Sequence, residues 1–236
     1  MKKGSLILLP VTLGEGGLPA LPQYAVDEAH RLTYFIAERP KSARRFFKET
    51  GLSRPLRELE IQVLNKHTPP EDILRLLEPA RQGHDVGLLS EAGCPAVADP
   101  GAMLVRAAHQ LDIPVRPLVG PSSILLALIA SGMNGQQFCF HGYLTPKRQQ
   151  LGQELRRLER ESARFGQTQL FMETPYRNDA LVQEALKHLR PDTLFGIAAE
   201  LTLPGEYIRT HAIERWHRRP PPSLHKRPAV FSILAG

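Results

Sequence analysis

Cysteine is scarce: Cys94 and Cys139 are the only two in 236 residues. Each is flanked by small or apolar residues, which fits reduced, buried thiols and excludes a disulfide scaffold or a zinc site built from cysteine alone. No apolar run approaches the ~20 residues of a membrane-spanning helix, and MKKGSLILLPV reaches Gly4 and Pro10 too soon for a secretory leader. The chain is therefore expected to work in the cytoplasm and off membranes. Several catalytic signatures are also missing. There is no G-x-x-x-x-G-K-[ST] phosphate loop, and GEGGLP (14–19) lacks the third glycine and the strand-to-helix register of a dinucleotide fingerprint. H-E-x-x-H, C-x-x-C and G-x-S-x-G are absent as well, so nucleotide hydrolysis, NAD binding, metal chemistry and an acyl-enzyme route lack a motif, and no metal site is expected. Low-complexity stretches and repeats do not occur.

What is present is an ordinary globular composition, 42% hydrophobic and 23% charged. The length suits two compact lobes. A formal net charge of +6 points to a polyanionic partner, for which nucleic acid and a polycarboxylate substrate both qualify.

In the first half, apolar runs alternate with amphipathic segments in the order of βαβ units. The strand candidates are SLILLPV (5–11), TYFIAE (33–38), LEIQVL (59–64), DVGLLS (85–90) and IPVRPL (113–118). Before the helix through ILRLLEPARQ, Thr68 is placed to cap, with Pro69 in the first turn and Glu71 at capping-box spacing. Near-continuous apolar strands joined by helices predict a parallel sheet covered on both faces, with ligands at the carboxyl ends of its strands.

Two loops fall at those ends. In SEAGCPAVADPG (90–101), Ser90, Ala92, Gly93 and Ala96 keep the side chains small, while Pro95 and Pro100 stiffen the backbone. Asp99 is then expected as the cap of a helix carrying Met103, Leu104, Ala107 and Ala108 inward. A tight turn alone would explain this pattern, and so would a backbone opened to a planar or extended ligand. PLVGPSSILLALIASG (117–132) repeats the arrangement, with Ser122 and Ser123 on the first turn of an apolar helix, where they either cap the helix or meet an anionic ligand group.

After Gly132 the spacing changes. QFCFHGYL (137–144), QLFMET (169–174), LFGIAAEL (194–201) and AVFSILA (229–235) predict a second α/β lobe with mixed or antiparallel pairing. The boundary is expected after residue 117, giving an N-terminal parallel α/β domain (1–117) and a C-terminal mixed-sheet domain (118–236). A helix near 147–164 sets Leu151, Leu155 and Leu158 on one face and arginines on the other. The tail RWHRRPPPSLHKRP (215–228) is expected to be extended, with cations that lack acidic neighbours.

Taken together, LLPVTLGEG, IAER, GLLSEAGCPAVADPG, PLVGPSSILLAL, FCFHGYLTPK, LFMETPYRN, AAELT and KRPAVFSIL resemble the tetrapyrrole (corrin/porphyrin) methyltransferase superfamily, in the branch acting on ribosomal small-subunit RNA as a cytidine 2'-O-methyltransferase. The resemblance runs through nearly the whole chain. It implies a class III methyltransferase-like architecture of two α/β domains, S-adenosylmethionine in a cleft between them, and a homodimer. It also implies cofactor contacts at Pro10, Ser90, Glu91, Ala92, Val97, Ser122 and Ser123, and at Met172, Leu201 and Ala229.

Three short motifs depart from that branch. Its A-E-D-T-R reads Ala37-Glu38-Arg39-Pro40-Lys41 here, its E-S-P-H-R reads Glu173-Thr174-Pro175-Tyr176-Arg177, and its A-R-E-L-T reads Ala198-Ala199-Glu200-Leu201-Thr202. A ribose hydroxyl needs a base or cations at the developing alkoxide. Glu38 is the candidate base and Lys41 and Arg177 are the candidate electrostatic helpers. The expected activity is methyl transfer to ribosomal RNA. The alternatives are C-methylation of a tetrapyrrole by the same fold and a noncatalytic RNA-binding relative.

Overall fold

A computed structural model describes residues 2–236, which divide after Ser122 into two compact units, the second being Ser123–Gly236. The first unit comprises β1 (Leu6–Leu9), α1 (Gln23–Arg31), β2 (Tyr34–Ala37), α2 (Pro40–Glu49), β3 (Glu60–Val63), α3 (Pro70–Leu76), α4 (Glu78–Arg81), β4 (Val86–Leu89), α5 (Gly101–Gln110) and β5 (Val115–Pro117). All five strand candidates of the first half form strands, in the order β3-β2-β4-β1-β5 with every pairing parallel. Leu6, Ile7, Leu9, Phe35, Ile36, Val86, Leu88 and Leu89 are buried because helices cover both faces of the sheet. On one face α2 contributes Ala43, Phe46 and Phe47, and Phe47 meets Phe35 edge-on at 4.7 Å between ring centroids.

Two local expectations fail here. Thr68 does not cap α3: Pro69 holds that position, and the Thr68 hydroxyl instead accepts the Asn65 N–H at 3.0 Å, closing the preceding turn. Met103 lies on the exposed side of α5, while Leu104, Ala107 and Ala108 are buried as predicted.

The second unit comprises α6 (Ser123–Ser131), β6 (Phe138–Tyr143), α7 (Arg148–Phe165), β7 (Thr168–Met172), α8 (Asn178–His188), β8 (Leu194–Ala199), β9 (Tyr207–Ala212), α9 (Ile213–Arg218) and β10 (Ala229–Leu234). Its sheet runs β6-β7-β10-β8-β9, parallel between β6 and β7 and antiparallel elsewhere, so the pairing is mixed. Leu151, Leu155 and Leu158 turn α7 toward the core, and Gly166 ends the helix at φ 60°. The segment after Pro117 stays with the first unit, because the Leu118 N–H donates to the Leu8 carbonyl at 3.1 Å.

The expectation for the tail is corrected. Its start is α9, whose Trp216 is 1% exposed and donates its indole N–H to the Phe195 carbonyl at 2.9 Å. Leu224 is also fully buried, and the main-chain N–H of Leu224 donates to Asp179. The cations do find acids: Arg218 pairs with Glu214 at 3.6 Å and Arg227 with Glu200 at 2.7 Å. Pro220–Pro222 follow α9 outside any helix or strand, so the extended expectation fails at 215–218 and not at the prolines.

Candidate functional site

The strand order makes β4, β1 and β5 neighbours, so the loops leaving their carboxyl ends meet. Val11 bridges Gly93, with its N–H 3.0 Å from the Gly93 carbonyl. The Cys94 thiol, half-buried and free, approaches the Gly120 and Pro121 carbonyls at 3.7 and 3.5 Å, and burial pushes it above its ordinary pKa. Gly120 packs directly on Pro10: a Cβ built there would lie 2.1 Å from the proline Cβ. Ser90 turns its hydroxyl inward, donating to the Gly93 carbonyl at 3.0 Å.

Within this knot the backbone of the 90–101 loop takes unusual shapes. Ala96 and Ala98 have φ of 67° and 58°, a region that costs a residue with a Cβ about 1–2 kcal/mol. Asp99 enforces the turn. Its carboxylate accepts the Ala96 N–H and the Gly101 N–H at 3.0 and 2.7 Å, while the N-cap of α5 is Pro100. Ala92 and Val97 are exposed on this loop, and Pro10, packed against Gly120, is buried.

Glu38 follows β2 on the same edge, half-buried, and lines a small cavity with Ser90, Asp99 and Gly101. Burial raises the Asp99 carboxyl above its ordinary value against the pull of its two N–H donors, and the Glu38 charge pushes it further the same way. Glu91 is tied to α2: it accepts the Ser42 hydroxyl at 2.9 Å and faces Arg39 at 3.7 Å. Lys41 is exposed in the first turn of α2. A separate cavity of about 390 Å³ lies between α2 and the loop after β1, where Arg45 binds Glu49 and Glu15 at 2.6 and 3.2 Å, with Glu91 on its rim.

In the second unit, antiparallel β10 begins where β7 and β8 end, and Val230 pairs with Met172 and Ala229 with Ala199. Met172, Leu201 and Ala229 therefore share one sheet edge. Two ion pairs stand there. Arg177 meets the nearly buried Glu173 at 2.5 Å and the Thr174 hydroxyl at 3.1 Å, while Arg227 holds Glu200. Glu200 and Thr202, on either side of Leu201, have φ of 50° and 67°, and the Thr202 Oγ1 is buried without a hydrogen-bond partner. Ser122 closes the first unit and Ser123 opens α6 in the second.

Pro10, Glu38, Ser90, Glu91, Ala92 and Val97 are thus gathered at one edge of the first sheet, and Met172, Arg177, Leu201 and Ala229 at one edge of the second. The Glu200–Arg227 pair, Thr202 and the loop-organising role of Asp99 were not anticipated. The glutamate kept in each of the three divergent motifs was their signal, because two of those glutamates meet arginines. Left-handed alanines leave no trace in sequence.

Residues 11–215 match the family of Tetrapyrrole (Corrin/Porphyrin) Methylases. Among curated proteins, a ribosomal RNA small subunit methyltransferase I of Micromonospora olivasterospora is 33% identical over 77% of this chain and 54% of its own length. Proteins of the same name from Haemophilus influenzae and Pseudomonas aeruginosa are 28% and 29% identical, over 88% and 92% of this chain and 70% and 73% of theirs. The chain thus spans about half the length of the first and under three quarters of the other two. Among solved structures, the methyltransferase CobJ superposes with a TM-score of 0.62 at 19% identity, covering 98% of this chain and 94% of its own. Uroporphyrin-III-C-methyltransferase from Thermus thermophilus gives 0.54 at 21% identity, over 99% and 93%. The fold, the loop-bearing sheet edge and the match through most of its length agree, and the chain belongs to the tetrapyrrole (corrin/porphyrin) methylase family.

Proposed function

We propose that the chain transfers a methyl group from S-adenosylmethionine to a ribose 2'-hydroxyl of small-subunit ribosomal RNA. The observation that carries this reading is the knotted edge of the parallel sheet, where left-handed Ala96 and Ala98 and the small residues around them leave backbone open to a ligand. The names of the curated relatives support the RNA substrate.

The residues present suit the cofactor. The cofactor contacts proposed in the first unit are Pro10, Ser90, Glu91, Ala92, Val97 and Ser122, and those proposed in the second are Ser123, Met172, Leu201 and Ala229. The buried, unpartnered Thr202 hydroxyl beside Leu201 is a donor suited to a polar ligand atom. S-adenosylmethionine brings an electrophilic methyl on a sulfonium, so the protein's task is alignment and exclusion of water. Glu38 accepts the proton of the ribose hydroxyl from its half-buried place in the small cavity it shares with Ser90, Asp99 and Gly101. Lys41 stabilises the developing alkoxide. Arg177 is already neutralised by Glu173 and acts chiefly by position.

A homodimer in the cytoplasm is part of the same proposal. Calorimetry is expected to show S-adenosylmethionine binding, and mass mapping to show one new ribose methyl on small-subunit RNA. Glu38→Gln should slow single-turnover transfer about 100-fold or more with little change in RNA affinity. Folded protein that fails to bind the cofactor at millimolar concentration overturns the proposal.

A further inference from the structure

The helix α2 is divided into three faces. Ala43, Phe46 and Phe47 are buried in the core, and Ser42, Arg45 and Glu49 line the neighbouring cavity. The remaining face carries Lys41, Arg44 and Lys48 at spacings of i, i+3 and i+7, which a helix stacks in one row. All three are exposed, and among the described residues none has an ion-pair partner within 4.0 Å. Arg45, one residue over, is by contrast held by Glu49 and Glu15. An unpaired row of one sign spans about 10 Å of helix axis, enough to meet more than one backbone phosphate.

Its place in the fold matters as much as its charge. The row starts at the helix end that follows Glu38, at the carboxyl edge of the sheet where the small-residue loops meet. A second group of cations, Arg209, Arg215 and Arg219, gathers around His211 near the end of β9. Because β9 runs antiparallel to β8, that cluster lies at the edge of the second sheet opposite Leu201. We infer that the Lys41–Arg44–Lys48 face of α2 is the surface that grips the phosphate backbone of the substrate RNA and leads the target nucleotide to Glu38. This rests on the proposed RNA methylation. An anionic membrane is the weaker match, because the aromatic residues of α2 point into the core and leave nothing apolar to insert.

The test uses the whole chain and deproteinised small-subunit ribosomal RNA, titrated across a series of salt concentrations. Lys41 is left intact because of its place beside Glu38. Arg44→Ala/Lys48→Ala is expected to weaken RNA binding roughly tenfold and to flatten the slope of log affinity against log salt by about 1.5, the loss of two phosphate contacts. The KM for RNA should rise while kcat and cofactor affinity stay at the parent values. Arg44→Glu/Lys48→Glu should do more, and Arg218→Ala/Arg219→Ala, which removes as much charge elsewhere, should do little. A parent-like affinity and slope in the α2 variants overturns the assignment while leaving RNA methylation standing. Equal losses in the α2 and Arg218/Arg219 variants also overturn it, since net charge would then explain the binding. Loss of binding to anionic phospholipid vesicles with RNA affinity unchanged would assign the face to membranes instead. If the parent itself binds no RNA, the functional proposal fails and the inference falls with it.

Discussion

Gly120 has no room for a side chain, and that single constraint fastens the loop after β5 to the loop after β1. A methyl group there would sit 2.1 Å from the Pro10 Cβ and 2.4 Å from its Cγ, far inside contact distance. A proline ring cannot swing away, so Gly120→Ala must part the two loops, at a cost of about 1–3 kcal/mol. Chemical denaturation should show that loss together with weakened S-adenosylmethionine binding. Gly135→Ala is the matched control, because a Cβ there meets nothing within 4 Å, and its stability should stay within about 0.5 kcal/mol of the parent. The small residues of the 90–101 loop are legible in the sequence as a tight strand-to-helix loop at the carboxyl edge of the sheet. The contact of Gly120 with Pro10 is not, since it joins residues far apart in the chain and depends on which strands become neighbours.

At the scale of elements, the difference between what was legible and what was not follows the strength of local pattern. The strands of the first sheet announce themselves as apolar runs because helices bury them on both sides. β9 reads YIRTHA and lies at the edge of its sheet, half-wetted, so its polar residues hide it. α9 was masked by the prolines that follow it and by its arginines, although Trp216 is the anchor that folds it back. β9 and α9 together also carry a pH response. Burial lowers the pKa of His211 below its ordinary value of 6.5, and the Arg215 and Arg209 charges lower it further, so the ring packs neutral against Trp216 at 4.9 Å. The unfolded chain takes up the proton first as pH falls. The stabilisation is therefore complete above about pH 6.5 and is lost as pH drops through the folded value. His30, also lowered by burial, acts in the same direction. Urea midpoints at pH 7.5 and pH 5 should thus differ more in the parent than in His211→Phe, with His30 leaving a residual slope. An identical pH dependence in the two proteins would remove His211 from this role.

For the whole molecule, the cofactor should act as a stabiliser as well as a reactant. At one hundred times its dissociation constant, a ligand that binds only folded protein adds about 2.7 kcal/mol. S-adenosylmethionine is therefore expected to raise the melting temperature by several degrees, and the Gly120→Ala protein should respond far less at the same concentration. The sheet order also bears on how the protein is made. β1 leaves the ribosome well before β4 and β5, its strand partners among the described residues, with Leu6 opposite Val86 and Val115. At about 5–20 residues per second, β1 waits roughly 4–16 seconds for β4 to be translated. During that interval Leu6, Ile7, Leu8 and Leu9 have no sheet to join and form an apolar segment open to chaperones or to a neighbouring nascent chain. Slowed translation between β1 and β4 should lower the yield of folded protein, even though every residue in the finished chain is unchanged.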